Sequence, residues 1–237
     1  MSVLPQIVIL TGAGISAESG LPTFRDANGL WENHRVEEVA TPEAFAHHPA
    51  LVHRFYNLRR AALKTVSPNA AHGALAQLQH AYPEHVTLVT QNVDDLHERA
   101  GSSKVIHMHG ELLQIRCERC KDVRRWEDEL SSGLPCSSCG EAGALRPDIV
   151  WFGEMPYFMN EISERLAQCD LFVAIGTSGL VYPAAGFVRA ARTAGAHCLE
   201  FNVDKTDVSH AFDECRIGPA SVEAPKWVME LIGRHAT

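Results

Sequence analysis

Four cysteines stand in two pairs of matching spacing, Cys117 with Cys120 and Cys136 with Cys139, with fifteen residues between the pairs. Two thiolates two residues apart can reach one ion from a single turn of chain, and two such pairs complete a tetrahedral set of the zinc-ribbon type. Four buried or redox-active thiols are the bland alternative, and the doubled spacing speaks against it. A zinc ion with four protein ligands keeps no open position for water or substrate, so one structural Zn2+ is expected here. Cys169, Cys198 and Cys215 show no partner pattern; Cys198 lies in an apparent strand and reads as packing.

A second group of residues could hold a nucleotide. Gly12-Ala13-Gly14-Ile15-Ser16-Ala17 follows an apolar run and matches the G-x-G-x-x-G/A form of a dinucleotide loop, where glycines let the backbone approach a pyrophosphate. Glycine after a strand is more often a plain turn, and the acidic residue expected about 20 residues later is missing. The chain continues instead as a loop, Ser19-Gly20-Leu21-Pro22-Thr23-Phe24-Arg25-Asp26. This is therefore not an ordinary hydride-transfer opening. Gln91, Asn92 and Asp94 follow another apolar run and offer amide and carboxylate groups, although Asn92 and Asp94 could equally be helix caps. Among 13 histidines a lone one means little. His107 and His109 alternate along one strand, and His109 stands at its end before Gly110, where open parallel sheets bind ligands. Spacing alone does not choose between them.

The elements that must position these groups show a clear rhythm. β-branched apolar runs at 6–10, 86–90, 105–109, 171–175 and 198–203 alternate with helical patterns at 70–80, 161–167, 183–194 and 225–233. That rhythm predicts a parallel sheet with crossover helices. Residues 42–65 look purely helical, and 114–146 hold the cysteine pairs with little apolar periodicity. The expected class is α/β: a Rossmann-like parallel-sheet domain (1–33, 70–113 and 147–237) with an inserted smaller helical plus zinc-ribbon module (34–69 and 114–146).

The chain has 237 residues, 46% of them hydrophobic, which suffices for one large domain with an insertion. No apolar run reaches membrane-spanning length, and the first residues read as a buried strand, not as a signal peptide. The formal charge of -8 disfavours nucleic acid and anionic membrane as partners. A cytoplasmic monomer is expected.

Taken together, the motifs have a specific likeness. GAGISAESGLPTFRDANGLW resembles the opening signature of the sirtuins, and TQNVDDLH at 90–97 resembles their second motif. HGE at 109–111, the two CxxC pairs, FGE at 152–154, GTS at 176–178 and NVD at 202–204 follow in the family's order over nearly the whole chain. The resemblance implies an NAD-dependent protein lysine deacylase that yields nicotinamide and O-acyl-ADP-ribose, with acylated proteins or peptides as partners. It selects His109 as catalytic base. It places Gly12, Ala13, Gly14, Ile15, Glu18, Thr23, Phe24, Arg25 and Trp31 around NAD, with Gln91 near the NAD ribose and Asn92 and Asp94 at the nicotinamide end. Gly176, Thr177 and Ser178 become the second nucleotide turn, and Asn202 and Ala220 adenosine contacts. By the same resemblance the acyl carbonyl oxygen attacks C1′ as nicotinamide leaves, and His109 then activates a ribose hydroxyl. The peptide is expected as an added strand against residues 150–154 and 178–182.

FYNLRR at 55–60 resembles the class III sirtuin segment whose Tyr-x-x-Arg pair receives the carboxylate of succinyl- or malonyl-lysine, here Tyr56 and Arg59. From spacing alone the packing stripe of this helix is Leu51, Phe55, Leu58 and Ala62, and Arg59 is a solvated charge like Arg60. Three rival functions remain: a mono-ADP-ribosyltransferase on the same fold, a non-enzymatic zinc-ribbon binding module, and a simple dehydrogenase. The motif set as a whole, with His109 and the Tyr56/Arg59 pair, favours deacylation.

Overall fold

The computed structural model describes residues 4–22, 30–31 and 34–235. In chain order its strands are β1 (Ile7–Thr11), β2 (Leu30–Trp31), β3 (His34–Arg35), β4 (Val86–Thr90), β5 (Val105–His107), β6 (Gly110–Cys117), β7 (Val123–Arg125), β8 (Leu145–Ile149), β9 (Leu171–Ile175), β10 (His197–Asn202) and β11 (Glu214–Ile217). Its α-helices are α1 (Ala13–Ala17), α2 (Val36–Val39), α3 (Pro42–His47), α4 (Pro49–Leu63), α5 (Ala70–Ala81), α6 (Leu96–Arg99), α7 (Met159–Leu166), α8 (Phe187–Thr193) and α9 (Ala220–His235).

Six strands form one parallel sheet in the order β11-β10-β9-β1-β4-β5. Side chains alternate across a strand, so each buried strand feeds two cores. Ile7 and Ile9 of β1, with Leu88, Val173 and Phe201, pack under α5 and α9 through Leu75, Leu78, Trp227 and Val228. Val8 and Leu10, with Val89, Phe172 and Ala174, pack on the other face against Ile162 and Leu166 of α7 and Phe187 and Val188 of α8. The result is a three-layer α/β/α sandwich. From β1 the chain first builds outward through β4 and β5 and later through β9, β10 and β11 on the opposite side. The strand order therefore reverses at β1, and the crevice for a ligand opens at the carboxyl ends of β1 and β9.

A separate antiparallel sheet, β7-β6-β8, carries the cysteines. It takes in residues 110–113 and 147–149, which the apolar rhythm had grouped with the larger domain. Helices α2 to α4 pack on it around Val52, Phe55, Tyr56, Leu112, Ile149 and Trp151. Residues 42–65 are helical as expected, broken between His47 and Pro49 because proline starts the next helix.

The strands expected at 86–90 and 171–175 match β4 and β9. The strand expected over 105–109 ends at His107, because Gly110 (φ +80°) turns the chain into β6. A β-carbon on Gly110 would collide with the Asp148 carbonyl, so only glycine brings β6 this close to β8. Leu58 is exposed (57%) and Arg60 buried (1%), the reverse of the spacing expectation. The face of α4 that turns inward is Val52, Phe55, Tyr56, Arg60 and Leu63. Arg60 is accommodated because its guanidinium donates to the carbonyls of Leu112 and Asp128 and to Asn57 Oδ1.

Candidate active site and metal centre

Two glycine turns meet at the switch point. Gly12 N donates to Ile175 O (3.0 Å) and Gly14 N to Gly176 O (2.8 Å), which locks the turn after β1 against the turn after β9. Gly176 has φ +63°, and a β-carbon on Gly14 would stand 2.7 Å from Gly176 Cα. Glycine at both places is thus a condition of the apposition. Other residues expected around NAD lie beside it. Gln91 Nε2 donates to Thr177 Oγ1 (3.1 Å), and Asn202 Nδ2 donates to Thr177 O (2.8 Å). Ser178 Oγ accepts from Leu180 N, Ala13 is half-buried, and Ala220 opens α9. Ile15 is fully buried in the α5/α9 core, so it faces the turn through backbone alone. The Glu18 carboxylate is spent on Ser221, accepting from its amide (3.0 Å) and its hydroxyl, and so caps α9. Thr23, Phe24 and Arg25 lie outside the described residues, and Trp31 is described in backbone only.

Beneath the turns runs a buried polar network that spacing did not foresee, because its members come from β1, α1, α5, α6 and the loop that follows β4. Asn92 Nδ2 donates to Gly12 O and Ser16 Oγ (both 3.1 Å), and Ser16 Oγ donates to Asp94 Oδ2 (3.1 Å). The Asp94 carboxyl lies above the usual carboxylate range, chiefly through burial, although Leu96 N and Ser16 favour its charge. His72 accepts the Asn69 amide at Nδ1 and turns Nε2 toward Ser16; burial lowers its pKa to about 4, so it stays neutral. His97 Nε2 meets Thr11 Oγ1 (3.0 Å), and burial first, then the neighbouring His72 and His107, hold its pKa far below the usual value.

His109 stands in the corner between the two sheets. Its carbonyl accepts from Val150 N (2.9 Å), and its Nδ1 lies 3.1 Å from Gln91 O. A carbonyl only accepts, so Nδ1 carries the hydrogen and Nε2 keeps its lone pair. Burial lowers the pKa of the ring, and the Gln91 bond only partly offsets this, so the imidazole is neutral near pH 7. His107 is the opposite case. Its Nδ1 donates to Asn92 O (3.2 Å) and its Nε2 to Glu98 Oε1 (2.8 Å), so both nitrogens face acceptors. Burial works against its charge, but Glu98, Glu111 and the Asn92 carbonyl outweigh burial and raise its pKa. One histidine is free to accept a proton; the other is fully engaged.

The four cysteine sulfurs lie within 4.8 Å of one another, with Cys117–Cys139 and Cys120–Cys136 at 3.7 Å. A Zn–S bond of about 2.3 Å puts the corners of a tetrahedron about 3.8 Å apart, so the sulfur positions fit one zinc ion. Cys169 and Cys198 are buried and stand apart from this cluster.

Comparison with known proteins gives the site its context. The Sir2 family model matches residues 12–183. The chain belongs to the Sir2 family. A relative named NAD-dependent protein deacylase in Bdellovibrio bacteriovorus is 55% identical over 98% of this chain and 99% of its own. One of the same name in Salmonella typhimurium is 53% identical over 96% of this chain and 84% of its own. Among solved structures, a Sir2 homolog–NAD complex aligns with TM-score 0.88 at 39% identity, over 96% of this chain and 90% of the other. A Sir2 bound to acetylated peptide aligns at 0.80 and 31%, over 96% and 93%.

Within this Sir2 chain Tyr56 is wholly buried, its hydroxyl accepting from Trp151 Nε1 (2.9 Å). Burial pushes its pKa up to about 12 against the opposing charge of Arg59, so the phenol remains a donor. Arg59 is half-buried, 5.7 Å above the Phe55 ring. The pair is thus brought together, and Trp151, which spacing did not single out, joins it; Arg146 stacks 3.2 Å over the indole and ion-pairs with Glu154. In segment 150–154 the amides of Val150, Trp151, Phe152 and Glu154 are already bonded, so an added strand would pair there mainly through carbonyls. No helix among the described residues is long and apolar enough to cross a membrane.

Proposed function

We propose that this Sir2 chain is an NAD-dependent protein lysine deacylase that accepts acetyl and acidic acyl groups, succinyl and malonyl among them. NAD supplies an activated glycosidic bond with nicotinamide as leaving group, and its ribose becomes the acyl acceptor in O-acyl-ADP-ribose. The observation that carries the reading is the one-sided tether of His109: Nδ1 is held by Gln91 O, Nε2 keeps its lone pair, and the side chain of the same Gln91 reaches Thr177 in the second glycine turn. An imidazole so held can take a proton from a hydroxyl placed before it. The relatives' names and the NAD and acetyl-peptide complexes of similar structures support it. Gln91, Asn92 and Asp94 would orient the nicotinamide end, while the turns at 12–15 and 176–178 receive the phosphates and Asn202 and Ala220 the adenosine. Cys117, Cys120, Cys136 and Cys139 would hold structural zinc. Tyr56 and Arg59 would meet an acyl carboxylate, a guanidinium supplying the ion pair and a phenol a hydrogen bond.

The test is to incubate the purified chain with NAD and acetyl-, succinyl- or malonyl-lysine peptide. Nicotinamide release matched mole for mole by deacylated peptide and O-acyl-ADP-ribose is the expected result, lost in His109→Ala and His109→Tyr with the fold retained. Transfer of ADP-ribose label to protein without deacylation would replace this reading with a transferase one.

A further inference from the structure

Two successive imidazoles of one segment grip two successive carbonyls of the loop that follows β4. His109 Nδ1 donates to Gln91 O and His107 Nδ1 to Asn92 O. The side chain of that same Asn92 is committed on its other side, to Gly12 O and Ser16 Oγ, and Ser16 holds Asp94. The loop is therefore pinned from the first glycine turn above and from the histidine strand beside it. His107 can donate to a carbonyl with Nδ1 and to the Glu98 carboxylate with Nε2 at the same time only as an imidazolium. Glu98 reaches His107 from α6, its side chain 40% exposed and its Oε1 2.8 Å from Nε2.

We propose that His107, charged and locked to Glu98, is a positioning residue for deacylation: it clamps the Asn92 carbonyl and so fixes Gln91, Asn92 and Asp94 against the imidazole of His109. The proposal rests on the deacylase reading above. The charged and titratable groups that act on His107 come from two elements and one loop: Glu98 and His97 on α6, Glu111 on β6, and Asp94 in the loop itself. The carboxylates favour the imidazolium. His97 is neutral and buried and does not compete for the Glu98 carboxylate. When the proton on His107 leaves, one of its two bonds must go. Either the Asn92 carbonyl or the Glu98 carboxylate then faces a lone pair, and the loop loses one of its two anchors. Because the loop holds NAD and not the acyl group, the expected signature is in KM for NAD more than in kcat.

The experiment uses the zinc-loaded full chain, the wild type beside Glu98→Gln and His107→Gln, with thermal unfolding recorded for each. Wild-type kcat/KM for NAD should fall on the alkaline side of the profile. Glu98→Gln removes the charge partner, which should move that fall about one pH unit lower and raise KM for NAD roughly ten-fold at about pH 8, with kcat changed far less. As pH falls the variant imidazole regains its proton, and KM should move back toward the wild-type value. His107→Gln keeps one amide N–H for the Asn92 carbonyl without titrating, and its profile should lose the alkaline fall. Rescue at low pH is what a merely structural role would not produce. A Glu98→Gln chain with the wild-type profile, or one equally impaired at every pH together with a lowered melting temperature, overturns the proposal. A wild-type chain that releases no nicotinamide with any acyl peptide would overturn the functional reading first; active wild type with unmoved variants overturns the positioning role alone.

Discussion

Protonating His109 fills the lone pair on Nε2, and burial makes that protonation harder than for a solvent-exposed imidazole. With His109 as the proposed base, the neutral ring would be the competent form, its pKa lies below 6.5, and activity would be lost as pH falls through that lowered value. The acid limb of the kcat/KM profile should therefore sit below pH 6.5. An acid limb above 6.5 would mean that another group limits the reaction. At Arg59 the prediction concerns selectivity. Arg59→Met should remove about 2 kcal/mol of carboxylate recognition, roughly 30-fold in kcat/KM for succinyl-lysine peptide. It should cost far less with acetyl-lysine, and equal losses on the two peptides would refute the assignment. What residue types could and could not reveal is plain from neighbours. The His107/His109 choice was invisible in the spacing, since both fit the strand, and only their contacts separate them: two acceptors for His107, one for His109. Arg60 read as solvated because its partners Leu112 and Asp128 lie 52 and 68 residues away.

At the scale of elements, strands with dense β-branched runs declared themselves, β4 and β9 to the residue. Strands defined by partners did not. β8 reads Leu-Arg-Pro-Asp-Ile, and its Arg146 and Asp148 are buried only because Glu154 and Tyr157 pair with them. β11, Glu-Cys-Arg-Ile, forms at the sheet edge against β10 and carries little apolar pattern of its own. The two glycine turns were recognisable as motifs, but not their mutual contact. That contact is open to test. Gly176→Ala sets a side chain at φ +63° against the Gly14–Ile15 backbone, so it should cost about 2–4 kcal/mol, divided between thermal stability and NAD affinity. Unchanged melting and unchanged KM for NAD would show that the turns can part without consequence.

Across the whole molecule, the smaller sheet owes its closed end to the sulfur tetrahedron, since the core there is only Ile115, Cys117, Leu130, Cys136 and Leu145 with their fringe. Stripping the metal with a strong chelator should loosen β6 and β7. Because β6 begins at Gly110, beside His109, activity should fall with it. A loss of about 3 kcal/mol would lower the melting midpoint by roughly 6–12 °C. Zinc-free protein that melts and turns over like the loaded form would show the tetrahedron to be dispensable. The two-body plan was legible because the cysteine segment interrupts the α/β rhythm. Where the bodies join was not, because β6 and β8 cross the boundary that the rhythm suggests.

The place of β1 in the sheet has a consequence for how the chain is made. Its two neighbours are β4, some 79 residues downstream, and β9, some 164 residues downstream. During synthesis β1 acquires one flank when β4 emerges and stays an open edge until residues 171–175 follow. An unpaired apolar edge is a template for the wrong partner, and distant parallel pairings form slowly. Nascent chains stalled just short of β9 are therefore the species of this protein most in need of a chaperone.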